Sequence, residues 1–149
     1  MNVKRTRFDP SRKTRMSRLR YSRLNCETLE GRDVPSTAVL NSIGVLKILG
    51  TNVADQITVR QEAGVIWIDD TQIKVGASTV DSVAAESVKR IDIWGYEGDD
   101  IIFLGAAEQE VAVKSNVYAG LGNDWVYGGI GKDTLNGGPG NDSLFGNLG

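Results

Sequence analysis

A chain of 149 residues, 40% hydrophobic and 24% charged, has room for one domain and a tail. It contains no histidine, which removes the commonest general base and zinc ligand and excludes an HExxH metalloprotease or a Ser-His-Asp hydrolase. A single cysteine, Cys26, excludes an intramolecular disulfide, and the net charge of −2 hides two opposed parts: residues 1–32 carry ten Lys or Arg and three acids, residues 33–149 seven and sixteen.

Residues 1–35 hold Lys4, Arg5, Arg7, Arg12, Lys13, Arg15, Arg18, Arg20 and Arg23 with almost no apolar periodicity. Self-repulsion and poor burial predict a disordered basic tail, with a sorting or export role. Nucleic-acid contact through this tail is the competing reading, and the acidic remainder of the chain argues against it. A signal peptide needs an apolar run of about 7–15 residues, and none follows the basic start. The stretch from Val34 to Leu49 is broken by Pro35, Ser36, Asn41, Ser42 and Lys47, so no membrane span is expected. Cys26, after Leu24-Asn25, lacks the apolar stretch of a lipidation site and reads as a free thiol. The element Leu29-Glu30-Gly31-Arg32-Asp33-Val34-Pro35-Ser36, behind an Arg-rich leader, resembles the N-terminal extension of large bacterial surface proteins.

Residues 36–92 read as β structure. Leu46/Ile48, Ile57/Val59, Ile66/Ile68 and Ile73/Val75 alternate with polar neighbours, and Gly50, Gly64 and Gly76 punctuate them. The stretch Asp81–Val88 is the one candidate for a short helical turn. Counting by nine from Ile48 meets Ile57, Ile66, Val75, Ala84, Ile93, Ile102 and Val111; after a step of six to Val117 the count resumes at Val126, Leu135 and Leu144. Such a period predicts a coiled β architecture in which each strand sends one side chain inward, and the segment 36–92 then reads either as degenerate coils or as a separate small sheet.

The chemistry lies in residues 93–149. Ala119-Gly-Leu-Gly-Asn-Asp124-Trp-Val-Tyr127, Gly128-Gly-Ile-Gly-Lys-Asp133-Thr-Leu-Asn136 and Gly137-Gly-Pro-Gly-Asn-Asp142-Ser-Leu-Phe145 are successive nonapeptides, followed by Gly146-Asn-Leu-Gly149. A degenerate copy, Gly95-Tyr-Glu-Gly98-Asp-Asp100-Ile-Ile102-Phe103, precedes them. One such run reads as a hairpin turn; three in strict register, each with an apolar residue two places after its Asp, do not. Ca²⁺ takes 6–8 oxygens from carboxylates and backbone carbonyls. Glycines at places one, two and four let a backbone turn tightly and aim carbonyls at one point, while the Asp at place six adds negative charge.

These repeats resemble the GGxGxDxUx motif of the RTX, or hemolysin-type, calcium-binding family. The resemblance implies a right-handed parallel β-roll, a kind of β-solenoid, with the expected all-β chain carrying short strands and the basic tail ahead of it. It also implies two nonapeptides per coil and Ca²⁺ between turns that stack. Asp124 and Asp142 lie 18 residues apart, so turns 119–124 and 137–142 are expected to make the best-formed site, with Gly120, Gly122, Asn123, Gly138, Gly140 and Asn141 shaping it. Asp133 contributes a half-site, because its stacking partner is expected over 146–151. Asp100 makes a second site if the six extra residues loop out between Gly105 and Asn116. Asp55, in the faint copy Gly50–Ile57, reads as a turn cap and not as a calcium ligand.

The aromatics Trp94, Phe103, Tyr118, Tyr127 and Phe145 follow the inward positions and are expected on the outer flanks, packed against neighbouring coils or the 36–92 segment, with a sticky ladder for a partner or a glycan as the competing reading. The resulting expectation is a non-catalytic, calcium-binding module, secreted or on the cell surface. It has a structural or adhesive role towards a surface or matrix partner, and its folding depends on extracellular Ca²⁺ at about 10⁻⁴–10⁻³ M. The alternative is a non-catalytic tail of a larger RTX exoprotein, an enzyme or a toxin.

Overall fold

The computed structural model describes residues 37–106 and 109–148, so the expectations for residues 1–35, including Cys26, fall outside the described part. Strand-forming alternation is realised as β1 (Thr37–Leu40), β2 (Val45–Leu49), β3 (Gln56–Glu62), β4 (Val65–Ile68), β5 (Ile73–Val75), β6 (Ser78–Val80) and β7 (Ser82–Ala84). A 3₁₀ turn (Ala85–Ser87) leads to β8 (Arg90–Glu97), β9 (Ile101–Ala106), β10 (Gln109–Glu110), β11 (Ser115–Leu121), β12 (Trp125–Tyr127), β13 (Asp133–Asn136) and β14 (Ser143–Phe145). The described chain is thus all-β. The helical turn expected over Asp81–Val88 is only the three residues Ala85–Ser87, because Ser82–Ala84 pair with β4.

The strands build two seven-stranded sheets, one ordered β13-β11-β8-β2-β1-β5-β6, the other β14-β12-β9-β3-β4-β7 with β10 paired to β9 off this path. From β8 onward, leaving aside the short β10, the chain alternates between them: β8, β11 and β13 in the first, β9, β12 and β14 in the second. All of these long-range ladders are parallel. Parallel neighbours need long crossovers, and here each crossover is a strand of the opposite sheet.

Below this stack β2 pairs parallel with β8, and β3 with β9. Antiparallel partners then close it off: β1 lies against β2, and β4 against β3.

One apolar cluster runs between the sheets. Leu46, Ile48, Ile57, Val59, Ile66, Ile73, Ile91, Ile93, Ile102, Val117 and Val126 are all fully buried. Each fully buried side chain of this size stabilises the fold by about 1.5–3 kcal/mol. Lys47, between Leu46 and Ile48, is exposed, whereas Thr58 and Asp92 at the equivalent places of β3 and β8 are buried.

The nine-residue count requires correction. Val75 is 37% exposed and Ala84 is exposed, so neither points inward. Strands β2–β3 and β8–β9 pair at an offset of 45 residues, against 18 between the turns of Asp124 and Asp142. The excess of 27 residues, spent on β4–β7 hairpins and the 3₁₀ turn, is three times nine. The count therefore survives an excursion whose residues leave the stack. At the later step the offset is 24, and the extra six residues lie where β10 folds back on β9.

Candidate metal centre

Four turns lie one above another on the edge where the first sheet passes into the second: 50–55, 95–100, 119–124 and 137–142. Their place is set by the ladders on either side, Leu49–Trp94 and Tyr118–Trp94 before the turn, and Ile57–Ile102 and Val126–Ile102 after it. The turn at Asp100 is thereby brought against that at Asp124, and that at Asp124 against that at Asp142.

The four place-six carboxylates form a ladder. Asp55 N–H donates to Asp100 Oδ1 at 2.8 Å, Asp100 N–H to Asp124 Oδ1 at 2.8 Å, and Asp124 N–H to Asp142 Oδ1 at 3.0 Å. One oxygen of each upper carboxylate is used in this way. The other oxygen, Oδ2, of Asp100 and of Asp124 is buried and accepts no hydrogen bond. Asp100 and Asp124 are themselves 0% exposed.

Burial pushes the Asp100 carboxyl up to about 7, against the counter-effect of the Asp55 N–H, with the neighbouring Asp124, Asp55 and Asp99 charges adding to the rise. Burial likewise raises Asp124, with Asp142 and Asp99 contributing. A buried carboxylate oxygen without a donor is costly, so the site is short of positive charge.

The backbone around these oxygens is packed to a degree only glycine permits. A Cβ on Gly95 would stand 2.1 Å from Asp100 Oδ2 and 2.2 Å from the Ala119 carbonyl oxygen, which places those two acceptors around one point. Gly120 has φ +125°, and a Cβ there would lie 2.0 Å from Tyr96 O; one on Gly140 would lie 1.6 Å from Gly122 O. Gly122 and Gly138 repeat the approach, onto Gly98 O and Gly120 O. The tiers are tied by Gly120 N–H to Gly137 O at 2.9 Å and Gly122 N–H to Pro139 O at 3.2 Å.

Place five forms an outer ladder. Asn123 N–H donates to Asp99 Oδ1 at 2.7 Å and Asn141 N–H to Asn123 Oδ1 at 3.0 Å. Among the described residues no three acidic, His or Cys side chains converge on one point. A cation here would take one carboxylate from each of two tiers and complete its shell with carbonyls, a donor set of hard oxygens that fits Ca²⁺.

Asp133 lies on the other edge. Its turn, 128–133, stacks on 110–115: a Cβ on Gly129 would meet Val111 O at 2.2 Å, and Ser115 stands opposite Asp133. Asp133 Oδ1 accepts Ser115 N–H at 3.0 Å and Ser115 Oγ–H at 2.8 Å, and its Oδ2 accepts Gly129 N–H at 2.8 Å. Asp55 is also supplied with donors, from Thr51 N–H to Oδ2 at 2.6 Å and from the Thr51 hydroxyl.

Sequence reasoning missed Thr51, Ser115 and Asp99. Only the place-five series Asp99, Asn123 and Asn141 left a readable trace, a polar residue before Asp100, Asp124 and Asp142.

The outward aromatics stack on one another across tiers, Trp94 on Tyr118 at 5.8 Å, Phe103 on Tyr127 at 4.7 Å and Tyr127 on Phe145 at 4.6 Å. Among the described residues no helix is long and apolar enough to cross a membrane.

The family model for the RTX calcium-binding nonapeptide repeat (four copies) matches residues 92–107 and 117–149. These two stretches, about a third of the chain, are thus similar to RTX nonapeptide repeats, which bind Ca²⁺. No curated protein and no solved structure matches the chain.

Proposed function

We propose that this chain is a non-catalytic calcium-binding module of a secreted or cell-surface protein, with a structural or adhesive role. In this reading β8–β14 form a right-handed parallel β-roll whose folding is coupled to Ca²⁺. Residues 1–35 serve as an export or sorting extension, and 36–92 as the strand-rich base.

The observation that carries the reading is the pair of buried, donorless oxygens on Asp100 and Asp124, one tier apart in a glycine-lined column. Asp100, Asp124 and Asp142 supply the carboxylates. Gly120, Gly122, Gly138 and Gly140 let the carbonyls of successive tiers approach, and Asn123 and Asn141 hold the outer side of the turns in register. Bound Ca²⁺ supplies the missing positive charge, so its binding free energy becomes folding free energy.

Calcium titration of the full chain, followed by far-UV circular dichroism with Mg²⁺ as control, tests this. A cooperative gain of β signal at sub-millimolar to millimolar Ca²⁺, abolished in the double variant Asp124→Ala/Asp142→Ala, is the expected result. An identical response of wild type and double variant would overturn it.

A second reading, a repeat segment within a larger exoprotein, is favoured by the upper end of the stack. There β13 and β14 are the outermost strands and Leu144, in the inward register, is 42% exposed. Fusing a further 18-residue coil after Gly149 raises calcium affinity if that reading holds.

A further inference from the structure

We infer that the hydroxyls of Thr51 and Ser115 stand where a cation is needed elsewhere, and so decide which turns take calcium and which close without it. The inference rests on the calcium reading of Asp100 and Asp124, and adds to it a division of the stack.

Position two of the turn separates the tiers of the main column. In the lowest tier it is Thr51, whose N–H reaches Asp55 Oδ2 at 2.6 Å and whose Oγ lies 3.2 Å from both carboxylate oxygens. In the tiers above it is Tyr96, Gly120 and Gly138, none of which carries an aliphatic hydroxyl. In the Asp100 and Asp124 tiers Oδ2 is left buried and without a donor. Gly50 keeps the same close approach as Gly95, since a Cβ there would stand 2.5 Å from Asp55 Oδ2 and 2.7 Å from Gly95 O. The cradle is therefore the same in both tiers, and the donor set differs.

The opposite edge repeats the device with other residues. Ser115, 1% exposed, gives Asp133 both its N–H and its hydroxyl, and Gly129 N–H supplies the second oxygen. A carboxylate that accepts several donors holds its charge without a metal.

Calcium is then confined to the Asp100–Asp124–Asp142 side. The tier at Asp55 stays closed at any calcium level and serves as a seat on which the tiers above assemble.

Amide hydrogen exchange of the full chain, in EDTA and in calcium, reads this directly, together with calcium stoichiometry by equilibrium dialysis. In EDTA the wild type should protect the amides of 46–62 and leave those of 119–145 exchanging, which calcium then protects. Thr51→Val should lose at least tenfold protection over 51–57 in EDTA, while Thr51→Ser retains it. Thr51→Gly, which removes the hydroxyl and gives position two the glycine of the Asp124 and Asp142 tiers, should bind one calcium more than wild type.

Undiminished protection in Thr51→Val, or unchanged stoichiometry in Thr51→Gly, overturns the assignment. A wild type that binds no calcium overturns the calcium reading instead, and leaves the Thr51 closure to be judged from the EDTA exchange alone.

Discussion

The base of the molecule and the turn column above it use the same two-sheet frame and are held by different forces. In the base, β1–β7 pair largely as antiparallel hairpins around Ile48, Ile57, Val59, Ile66 and Ile73, and the Asp55 carboxylate is met by protein donors. In the upper part the inward residues grow fewer and more exposed, from buried Val126 to half-buried Leu135 and exposed Leu144. There Oδ2 of Asp100 and of Asp124 lacks a donor. Apolar burial is indifferent to cations, whereas a desolvated carboxylate ladder is not. One chain thus joins a part packed on apolar side chains to a part that, in the proposed reading, needs added positive charge.

The largest effect that separates the two parts comes from the base. Ile48→Ala should cost about 2–5 kcal/mol, as for other buried large-to-small changes, and by the same amount in EDTA and in calcium. Urea unfolding in both buffers checks it, and a loss seen only in calcium would dissolve the division.

Next comes Gly122→Ala. Its Cβ would stand 2.0 Å from Gly98 O at φ +143°, so the tiers must part. A calcium midpoint raised tenfold or more is expected, with protection of 46–62 unaltered.

Asp124→Asn should act in opposite directions on the two states. The amide keeps an oxygen for the Asp100 N–H but removes a buried charge. Metal-free stability at pH 7 should rise, and calcium affinity should fall by roughly an order of magnitude, as ligand charge tunes such sites. Chemical denaturation and dialysis give the two numbers.

The pH dependence follows from Asp100. Its folded carboxyl titrates near 7, above the ordinary 3.8, so between those values the folded state binds the extra proton. Metal-free stability therefore falls as pH rises from about 4 through 7, and calcium affinity rises across the same window. Thermal melts in EDTA from pH 4 to 8 should show that fall, which Asp100→Asn should flatten.

The smallest effect is Tyr96→Gly. Tyr96 holds φ +81°, a left-handed conformation costly for a residue with a Cβ, and glycine should stabilise the turn by about 1 kcal/mol.

The repeats were legible because the turn dictates its residues: places one, two and four press on backbone of the next tier, and place six must carry a carboxylate. The stacking of the Asp124 and Asp142 turns could therefore be read from their 18-residue spacing, and the 24-residue step to Asp100 agrees with the pairing of β8 and β11. The hairpin excursion was not legible. Its 27 residues are a whole number of nonapeptides, so an apolar period ran on through Val75 and Ala84 although neither faces the core. Thr51 and Ser115 were hidden for another reason. A hydroxyl that caps a carboxylate obeys no period, and its meaning depends on which residue the stack sets beside it.

The two offsets of 45 and 24 residues around a coil of 18 also bear on how such a chain can change. Each tier touches only its neighbours, so the frame tolerates extra chain wherever a strand leaves one sheet before entering the next. Whole coils can then be duplicated or deleted by slippage in the coding sequence while the closed base stays as it is. Length, and with it the number of calcium ions held, becomes a trait that selection can adjust in steps without redesigning the fold.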